Sequence, residues 1–414
     1  MLRQKLVLLV ALVGFATGAT AQPAERAVEG TSPATDLHDL IRRLRHKPPV
    51  PDAVRQQDPD YRRPVWLRVP FVASSPSTGV VGGVSLETTF FRGSPPATHA
   101  STVQTSFAVT AKRQLLSTTR FSVYTRDDAW CFVGDNRLEH TSMDIHGLGS
   151  NPGDSEAVMN VDYHLVRAYN TAYRRIYRNV YAGVGFHFVA RTSVAPNGNL
   201  AAWQRSPYFG YSGENGFDPA SQASAGSSIN VSLDSRNSSV NASSGWLLNG
   251  SYRLFVGGLL GSPSSWRELY VEARTYRRLT HTARHTLALW AYGDMVTSGT
   301  APYLDLPATG GDPQGRSGRG YVTGRYRGEG VLYAEAEYRV TVTRNGLIGV
   351  VGFVNATTVR SDTVGERLFD FIAPAAGVGL RVLLDKASRS NICVDLGVGK
   401  KGSYGLYVGF QEAF

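Results

Sequence analysis

Histidine and serine are the side chains in this sequence best suited to covalent chemistry, and neither type is placed as a hydrolase requires. His140, His146, His164 and His187 are scattered along the chain, and no Gly-x-Ser-x-Gly motif occurs. A serine hydrolase needs a serine, a histidine and an acidic or amide group within reach of one another. We therefore expect no enzymatic activity, and a membrane-embedded lipid hydrolase is the weakest of three functional hypotheses.

The two cysteines, Cys131 and Cys393, offer little chemistry either. They lie far apart and form no Cys-x-x-Cys motif or Cys/His cluster. Such spacing is typical of neither a disulfide framework nor a zinc site, so both are interpreted as inert thiols within strands. We expect no cofactor and no bound metal.

Charged side chains instead recur at every second position of apolar runs. Between residues 331 and 342, one side carries Tyr333, Glu335, Glu337, Arg339 and Thr341, and the other carries Leu332, Ala334, Ala336, Tyr338, Val340 and Val342. Side chains alternate between the two faces of a β-strand. The pattern predicts strands with one charged and one apolar face, and it returns in residues 268–278, 372–384 and 391–398.

These strands are long, and their polar faces hold charges at mid-strand. Many runs extend over about 11 to 15 residues, whereas strands of soluble sheets average about five or six. A membrane-crossing strand needs about 9–11 residues, and its sheet must close because backbone groups in lipid have to be paired. The sequence predicts an all-β transmembrane antiparallel barrel over residues 65–414.

About sixteen strands are expected. They begin near residues 65, 79, 101, 114, 129, 158, 172, 223, 245, 266, 284, 330, 347, 372, 390 and 404. Long connections at 141–157, 192–222, 296–329 and 361–370 follow odd strands, and tight turns such as Asp127-Asp128 and Asn345-Gly346 follow even ones. Outer-membrane barrels have short periplasmic turns and long outer loops, so this parity fits an amino terminus in the periplasm.

The amino-terminal region predicts export. Arg3 and Lys5 precede an apolar run at residues 6–15 and the Ala19-Thr20-Ala21 cleavage pattern, so residues 1–21 are interpreted as a signal peptide. Residues 22–64 are rich in proline and arginine and are interpreted as a periplasmic tail. A short helix is expected at 36–47, with a docking or plug helix as the alternative to a tail.

Charge and location together limit the partners. The net charge of +10 comes from 43 Lys and Arg against 33 Asp and Glu. A basic exported protein favours outer-membrane lipid and lipopolysaccharide, and nucleic acid is not expected as a partner. The preferred interpretation of the positive charge is arginine spread through a polar lumen and loops.

The carboxyl-terminal run also alternates. Tyr404, Leu406, Val408, Phe410 and Phe414 are apolar, and Glu412 interrupts the series. An aromatic residue that ends an alternating strand resembles the signal by which barrels are handed to the assembly machinery. Phe410 and Phe414 are the candidate residues of that signal.

A series of short motifs supports a family resemblance. In chain order they are Asp234-Ser235-Arg236-Asn237, Arg319-Gly320-Tyr321 in the longest loop, Glu337-Tyr338-Arg339, Gly352-Phe353-Val354-Asn355, Gly377-Val378-Gly379-Leu380-Arg381, Asp395-Leu396-Gly397 and Gly409-Phe410-Gln411-Glu412-Ala413-Phe414. This order resembles the barrel of the BamA/TamA outer-membrane protein superfamily, also called the bacterial surface antigen family. Members have sixteen-stranded barrels, and the resemblance is strongest over residues 224–414.

The resemblance implies a lumen loop carrying Arg319, Gly320 and Tyr321. Its arginine would pack against a receiving strand that presents Phe353 and Asn355 on one face. Relatives carry aspartate where Asn355 stands, so a neutral hydrogen bond, about half as strong, would replace a charge-assisted one.

Three acidic residues are candidates to compensate for that missing charge. They are Glu335, Glu337 and Asp395. Relatives that insert barrels also carry soluble periplasmic receptor domains, and residues 22–64 are too few for one, so we expect a short family member.

Two functions remain as main hypotheses. The first is assembly or translocation of outer-membrane or surface proteins through a lateral seam between strands near 65–73 and 404–414. Exposed strand edges there would template a client strand. The second is a passive pore or structural barrel plugged by its long loop.

Overall fold

The computed structural model describes residues 35–46, 64–75, 78–94, 98–149, 158–198, 200–281, 284–385, 389–410 and 412–414. The predicted signal peptide and most of the predicted tail lie outside these ranges, so those interpretations remain predictions.

Within the described residues, sixteen antiparallel strands close into one barrel. They are β1 Val65–Ser75, β2 Gly79–Phe90, β3 Ser101–Thr110, β4 Leu115–Tyr124, β5 Trp130–Ile145, β6 Met159–Tyr177, β7 Val180–Pro196, β8 Ser221–Asp234, β9 Gly245–Phe255, β10 Trp266–Arg278, β11 His285–Gly299, β12 Gly330–Thr341, β13 Ile348–Arg360, β14 Ala373–Asp385, β15 Ser390–Gly399 and β16 Tyr404–Phe410. Each strand pairs with its sequence neighbours, and β1 meets β16. The predicted all-β barrel is confirmed.

The alternating pattern sorts side chains between lumen and outer wall. In β10, Glu268, Glu272 and Arg274 are buried in the lumen, whereas Leu269 and Val271 are exposed on the outer wall. Other exposed apolar side chains on the wall are Val84, Phe107, Leu138, Val184, Phe186, Ile229, Val231, Leu289, Val350, Val354, Val378, Leu396 and Val398. An apolar outer band with a polar interior is the arrangement of a membrane barrel.

Predicted and observed strand starts agree within two residues for every strand of the described chain except β7. That strand was expected near Ala172 and begins at Val180, because β6 continues to Tyr177. The polar Asn170 lies inside β6, where its side-chain amide exchanges hydrogen bonds of 3.2 and 3.0 Å with Asn136 of β5. This cross-strand amide pair satisfies the polar side chain of Asn170 within the strand.

The connections fall into a long-loop end and a short-turn end. Residues 146–149, 200–220, 300–329 and 361–372 lie at the first, and tight turns such as the one at Asn345-Gly346 lie at the second. Gly346 has φ of +76°, which glycine adopts without the steric cost of a side chain. The predicted division of long and short connections is confirmed, although β5 extends to Ile145 and shortens the first loop.

Two short helices that the sequence analysis missed lie in the 197–220 loop. They are α2 Leu200–Gln204 and α3 Pro207–Glu214. Ser206 caps α3 by accepting a hydrogen bond from the Phe209 amide at 3.2 Å, and Pro207 follows in the first helical turn. Serine followed by proline is a recognised helix start and was the available signal.

Aromatic side chains join this loop to the loop at 300–329. Tyr208 and Tyr211 of α3 lie edge-on to Tyr303, with ring centroids 5.5 and 5.6 Å apart. The Tyr211 hydroxyl also donates to the Ala301 carbonyl at 2.9 Å. The two loops therefore form one packed aromatic core at the long-loop end.

The helix expected at 36–47 is shorter, and it is docked. It runs over Leu37–Leu44 and is named α1 here. The Asp36 carboxylate accepts from the Asp39 amide at 2.8 Å, and the Thr35 amide donates to the Asn345 carbonyl at 2.9 Å. The preferred interpretation, a free tail, therefore does not hold for residues 35–46, which contact the short-turn end. No helix of the described residues is long and apolar enough to cross a membrane.

The outer band predicts a position-dependent response to charge. Val354 in the middle of β13 and Val364 in a long-end loop have nearly equal exposed fractions, 58% and 57%. We expect Val354→Arg to destabilise the barrel in lipid bilayers by about 2–4 kcal/mol, because arginine is costly at the membrane midplane. Val364→Arg is the matched control and should leave unfolding in urea unchanged. Equal effects of the two substitutions would contradict the assignment of the outer wall to lipid.

Candidate functional site in the barrel lumen

The loop at residues 300–329, called here the lumen loop, passes into the barrel and touches the inner wall. Gly320 has φ of +111°, and a Cβ there would come within 2.8 Å of the Ala375 Cβ. A Cβ at Gly397 of β15 would lie 2.7 Å from the Gly320 nitrogen. Glycine on both sides is thus required for the loop backbone to approach the wall.

Arg319 is the most enclosed contact of the loop. Its side chain is 3% exposed, and the guanidinium carbon lies 3.7 Å from the centre of the Phe353 ring. The guanidinium donates to Glu337 at 2.5 Å, to Asp395 at 2.6 Å and to Glu335. The three predicted partners, which belong to strands β12 and β15, therefore all accept hydrogen bonds from the Arg319 guanidinium.

Asn355 also reaches the loop, but by a different bond from the one expected. Its side-chain amide donates to the Arg319 main-chain carbonyl at 2.9 Å. An aspartate could not donate this bond. The residue that departs from the family pattern thus holds the loop backbone, while the neighbouring strands supply the carboxylates for the side chain.

Tyr321 and Gly320 connect the loop to the last strand. The Tyr321 hydroxyl donates to the Pro374 carbonyl at 2.6 Å. The Tyr407 hydroxyl of β16 donates to the Tyr321 carbonyl at 3.0 Å and accepts from the Gly320 amide at 2.9 Å. Sequence reasoning missed Tyr407, although it alternates with the outward Leu406 and therefore had to face the lumen.

Further arginines extend the buried charges toward the short-turn end. Arg381 binds Asp395 at 2.5 Å and Glu412 at 2.7 Å, and Arg339 binds Glu337 at 2.6 Å. Arg316 of the lumen loop donates to the Glu412 carbonyl. We call Arg316, Arg319, Arg339 and Arg381, with Glu335, Glu337, Asp395 and Glu412, the lumen charge network.

Of the two candidate signal residues, Phe410 lies in the predicted last strand and Phe414 does not. β16 ends at Phe410, whose backbone pairs with Ile392 and whose side chain lies outside the described part of the chain. Phe414 does not continue the strand; its ring lies 5.2 Å from Trp290 inside the lumen. The physical reason is Glu412, since a carboxylate on the lipid face would lose the hydrogen bonds that it makes inside.

The fold and this site define an integral membrane barrel whose long loop is anchored in the lumen by a buried arginine. Residues 99–410 match the model of the Omp85 superfamily domain, and the chain belongs to that superfamily. The family resemblance stated from the sequence is confirmed. Barrels of this family are outer-membrane proteins, which supports an outer-membrane location.

Solved structures show the same fold. BamA from Haemophilus ducreyi lacking POTRA domains 1–3 matches with a TM-score of 0.54 and 13% identity, over 84% of this chain and 70% of that one. CdiB from Acinetobacter baumannii matches with a TM-score of 0.52 and 13% identity, over 84% of this chain. CdiB from Escherichia coli matches with a TM-score of 0.54 and 12% identity, over 82% of this chain. This chain spans 59% and 62% of the two CdiB chains. No curated protein matches.

The Asn355 contact leads to a prediction that runs against the family pattern. Asn355→Asp should loosen the lumen loop and cost about 1–3 kcal/mol, because a carboxylate replaces the amide that donates to the Arg319 carbonyl. The measurement is the temperature at which the folded barrel loses its fast migration on gels, together with protease cleavage of the loop. Asn179→Asp, in an exposed turn, is the control. A more stable Asn355→Asp protein would show that the loop prefers the aspartate of its relatives.

Proposed function

We propose that this barrel assembles or translocates other outer-membrane or surface proteins through the interface between β1 and β16, called here the seam. The main support for the proposal is the small number of residue pairs that join β1 to β16. Among the described residues, β1 and β16 share the single pair Ser74 and Val408, whereas β15 and β16 share seven pairs and β1 and β2 share eleven.

The strand register explains why the seam is thin. Continuing the antiparallel register from Ser74 and Val408 would set Val72 opposite Phe410 and Pro70 opposite Glu412. Glu412, however, lies in the lumen and not in the wall. Residues 65–70 of β1 therefore meet no strand from the described part of β16. An unpaired strand edge is a template for strand addition, the step by which a client strand would enter.

The lumen loop supports this role because it contacts the seam strand directly. Gly320 and Tyr321 are bonded to Tyr407 of β16, while Arg319 is held by strands β12 and β15. A shift of the loop would therefore change the support of β16. We propose that the loop sets how readily the seam opens.

The remaining assignments follow from the same proposal. The short-turn end with α1 would face the periplasm, and the long loops would face the exterior, where the basic chain meets lipopolysaccharide. The client would be a barrel or surface protein that presents an unpaired strand. Binding and strand exchange carry the work, without covalent chemistry or a cofactor.

A structural barrel closed by its own loop is the second candidate. It is favoured by the depth of the lumen loop, whose Arg319, Tyr321 and Tyr326 are all buried. In this alternative the lumen charge network holds the lumen loop permanently in place as a plug. The seam then has few residue pairs but admits no client strand.

Comparing the outer-membrane proteomes of a deletion strain and its parent separates the two candidates. We expect loss of one or more other barrels or surface proteins, restored by the intact gene but not by Arg319→Ala. That substitution leaves buried carboxylates without their cation, at a cost of about 3–5 kcal/mol. Arg253→Ala, which breaks the ion pair with Glu268 elsewhere in the lumen, is the control and should restore the proteome. An unchanged proteome in the deletion strain would sink the assembly proposal and favour the structural barrel.

Locking the seam tests the route. Ser74→Cys with Val408→Cys places two thiols at directly paired positions, so a disulfide should close the seam and abolish complementation until a reductant is added. Val231→Cys with Gly250→Cys is the matched lock at a fully paired interface, where a Cβ at Gly250 meets nothing within 4 Å. Complementation by the oxidised seam lock would exclude opening between β1 and β16.

A further inference from the structure

Residues 412–414, called here the inner segment, are bound inside the barrel. Glu412, Ala413 and Phe414 are only 3%, 9% and 6% exposed. They follow β16 in the chain, yet each contacts groups of the inner wall or the lumen loop. The segment therefore occupies a site, and its contacts describe what that site recognises.

One half of the site binds a carboxylate. The Glu412 side chain accepts from the Arg381 Nε at 2.7 Å and from the Asn391 Nδ2 at 2.7 Å. Arg316 of the lumen loop donates to the Glu412 main-chain carbonyl. Strands β14 and β15 and the loop thus converge on a single residue, with both carboxylate oxygens paired.

The other half binds an aromatic ring. The Phe414 ring lies 5.2 Å from Trp290 and 6.3 Å from Tyr276, and the Arg339 guanidinium lies 5.4 Å from its centre. Arg339 also donates to the Phe414 carbonyl at 2.8 Å. Neighbouring aromatic rings tilted by 35° and 37° to the Phe414 ring, together with an arginine near its centre, are features of a pocket for an aromatic side chain.

We propose that the lumen contains a binding site for a peptide segment with a carboxylate two residues before an aromatic ring, and that residues 412–414 are its releasable resident ligand. While seated, the segment keeps residues 412–414 out of the wall, and the edge of residues 65–70 of β1 that would face β16 has no strand partner among the described residues. When released, the same residues fall in register with β1. The peptide site stands without the proposed assembly function, which is needed only to say what the release would permit.

Release is coupled to the lumen loop because the two share carboxylates. Glu337 accepts from Arg319 of the loop and from Arg339, which holds Phe414. Asp395 accepts from Arg319 and from Arg381, which holds Glu412. Moving the loop changes the charge balance on both arginines of the site.

Thiol labelling tests whether the segment is seated and what holds it. Ala413→Cys is introduced into the full chain with Cys131→Ala and Cys393→Ala, and its reaction with a charged maleimide is timed. We expect slow labelling in this parent, and labelling about tenfold or more faster after Glu412→Gln, Arg381→Met or Arg319→Lys, since each removes charge-assisted bonds. Arg253→Met is the control, because that arginine pairs with Glu268 and not with the segment. Fast labelling in the parent, or no change in the first two variants, would overturn the proposal.

A peptide supplied in trans tests the recognition chemistry. The probe is a fluorescent synthetic peptide with the sequence of residues 406–414, added to the purified full chain carrying Glu412→Gln and Phe414→Ala, which leaves the site residues intact. We expect saturable binding, about tenfold or more weaker to the unsubstituted chain, whose site is filled. Adding Arg381→Met should abolish binding, and a peptide with glutamine for the glutamate should bind poorly.

Binding that ignores the peptide carboxylate, or that is equal in both proteins, would refute the site. Both measurements use purified barrel without a client. A negative proteome result with positive peptide binding would therefore reject only the assembly function, and the reverse outcome would reject only the peptide site.

Discussion

The burial of Arg319 is the interaction on which the rest of the lumen depends. Glu335, Glu337 and Asp395 stand on the inner wall with almost no exposure, and uncompensated carboxylates in such a position are costly. Within the lumen charge network the wall strands contribute two cations, Arg339 and Arg381, and both also contact Glu412. The lumen loop must therefore enter the barrel, and the ring of Phe353 and the amide of Asn355 fix where it stops.

Much of this arrangement can be predicted from the sequence, because side chains in the strands of a membrane barrel alternate between lumen and lipid with a period of two residues. Alternation placed Phe353 and Asn355 on one face of β13 and Glu335 and Glu337 on one face of β12, and the structure has all four on the lumen face, with Glu335 opposite Asn355 and Glu337 opposite Phe353. The family resemblance supplied the arginine that contacts both strands. What alternation could not supply was the bond that Asn355 makes, since a residue type does not reveal whether its partner is a side chain or a main-chain carbonyl.

Three of the features that escaped prediction depend on contacts between residues distant in the chain. The extension of β6 past Asn170 requires its amide partner Asn136 on the next strand. The helices of the 197–220 loop gain their stability from packing on Tyr303, about a hundred residues downstream, and short helices are marginal without such packing. The position of residues 412–414 in the lumen depends on Arg381 and Arg339, which are distant in the chain and which local periodicity does not reveal.

Glu412 shows how one side chain settles the architecture of the seam. Along the strand it would have occupied an outward position, on the side of the strand that Leu406 occupies. A carboxylate there would face hydrocarbon, whereas in the lumen it meets Arg381 and Asn391. β16 therefore ends at Phe410, four residues before the Phe414 to which the alternating pattern extends, and residues 412–414 do not pair with β1. The small number of residue pairs at the seam is thus a consequence of the charges in the lumen. A change in the charges around Arg319 is therefore expected to affect the seam as well.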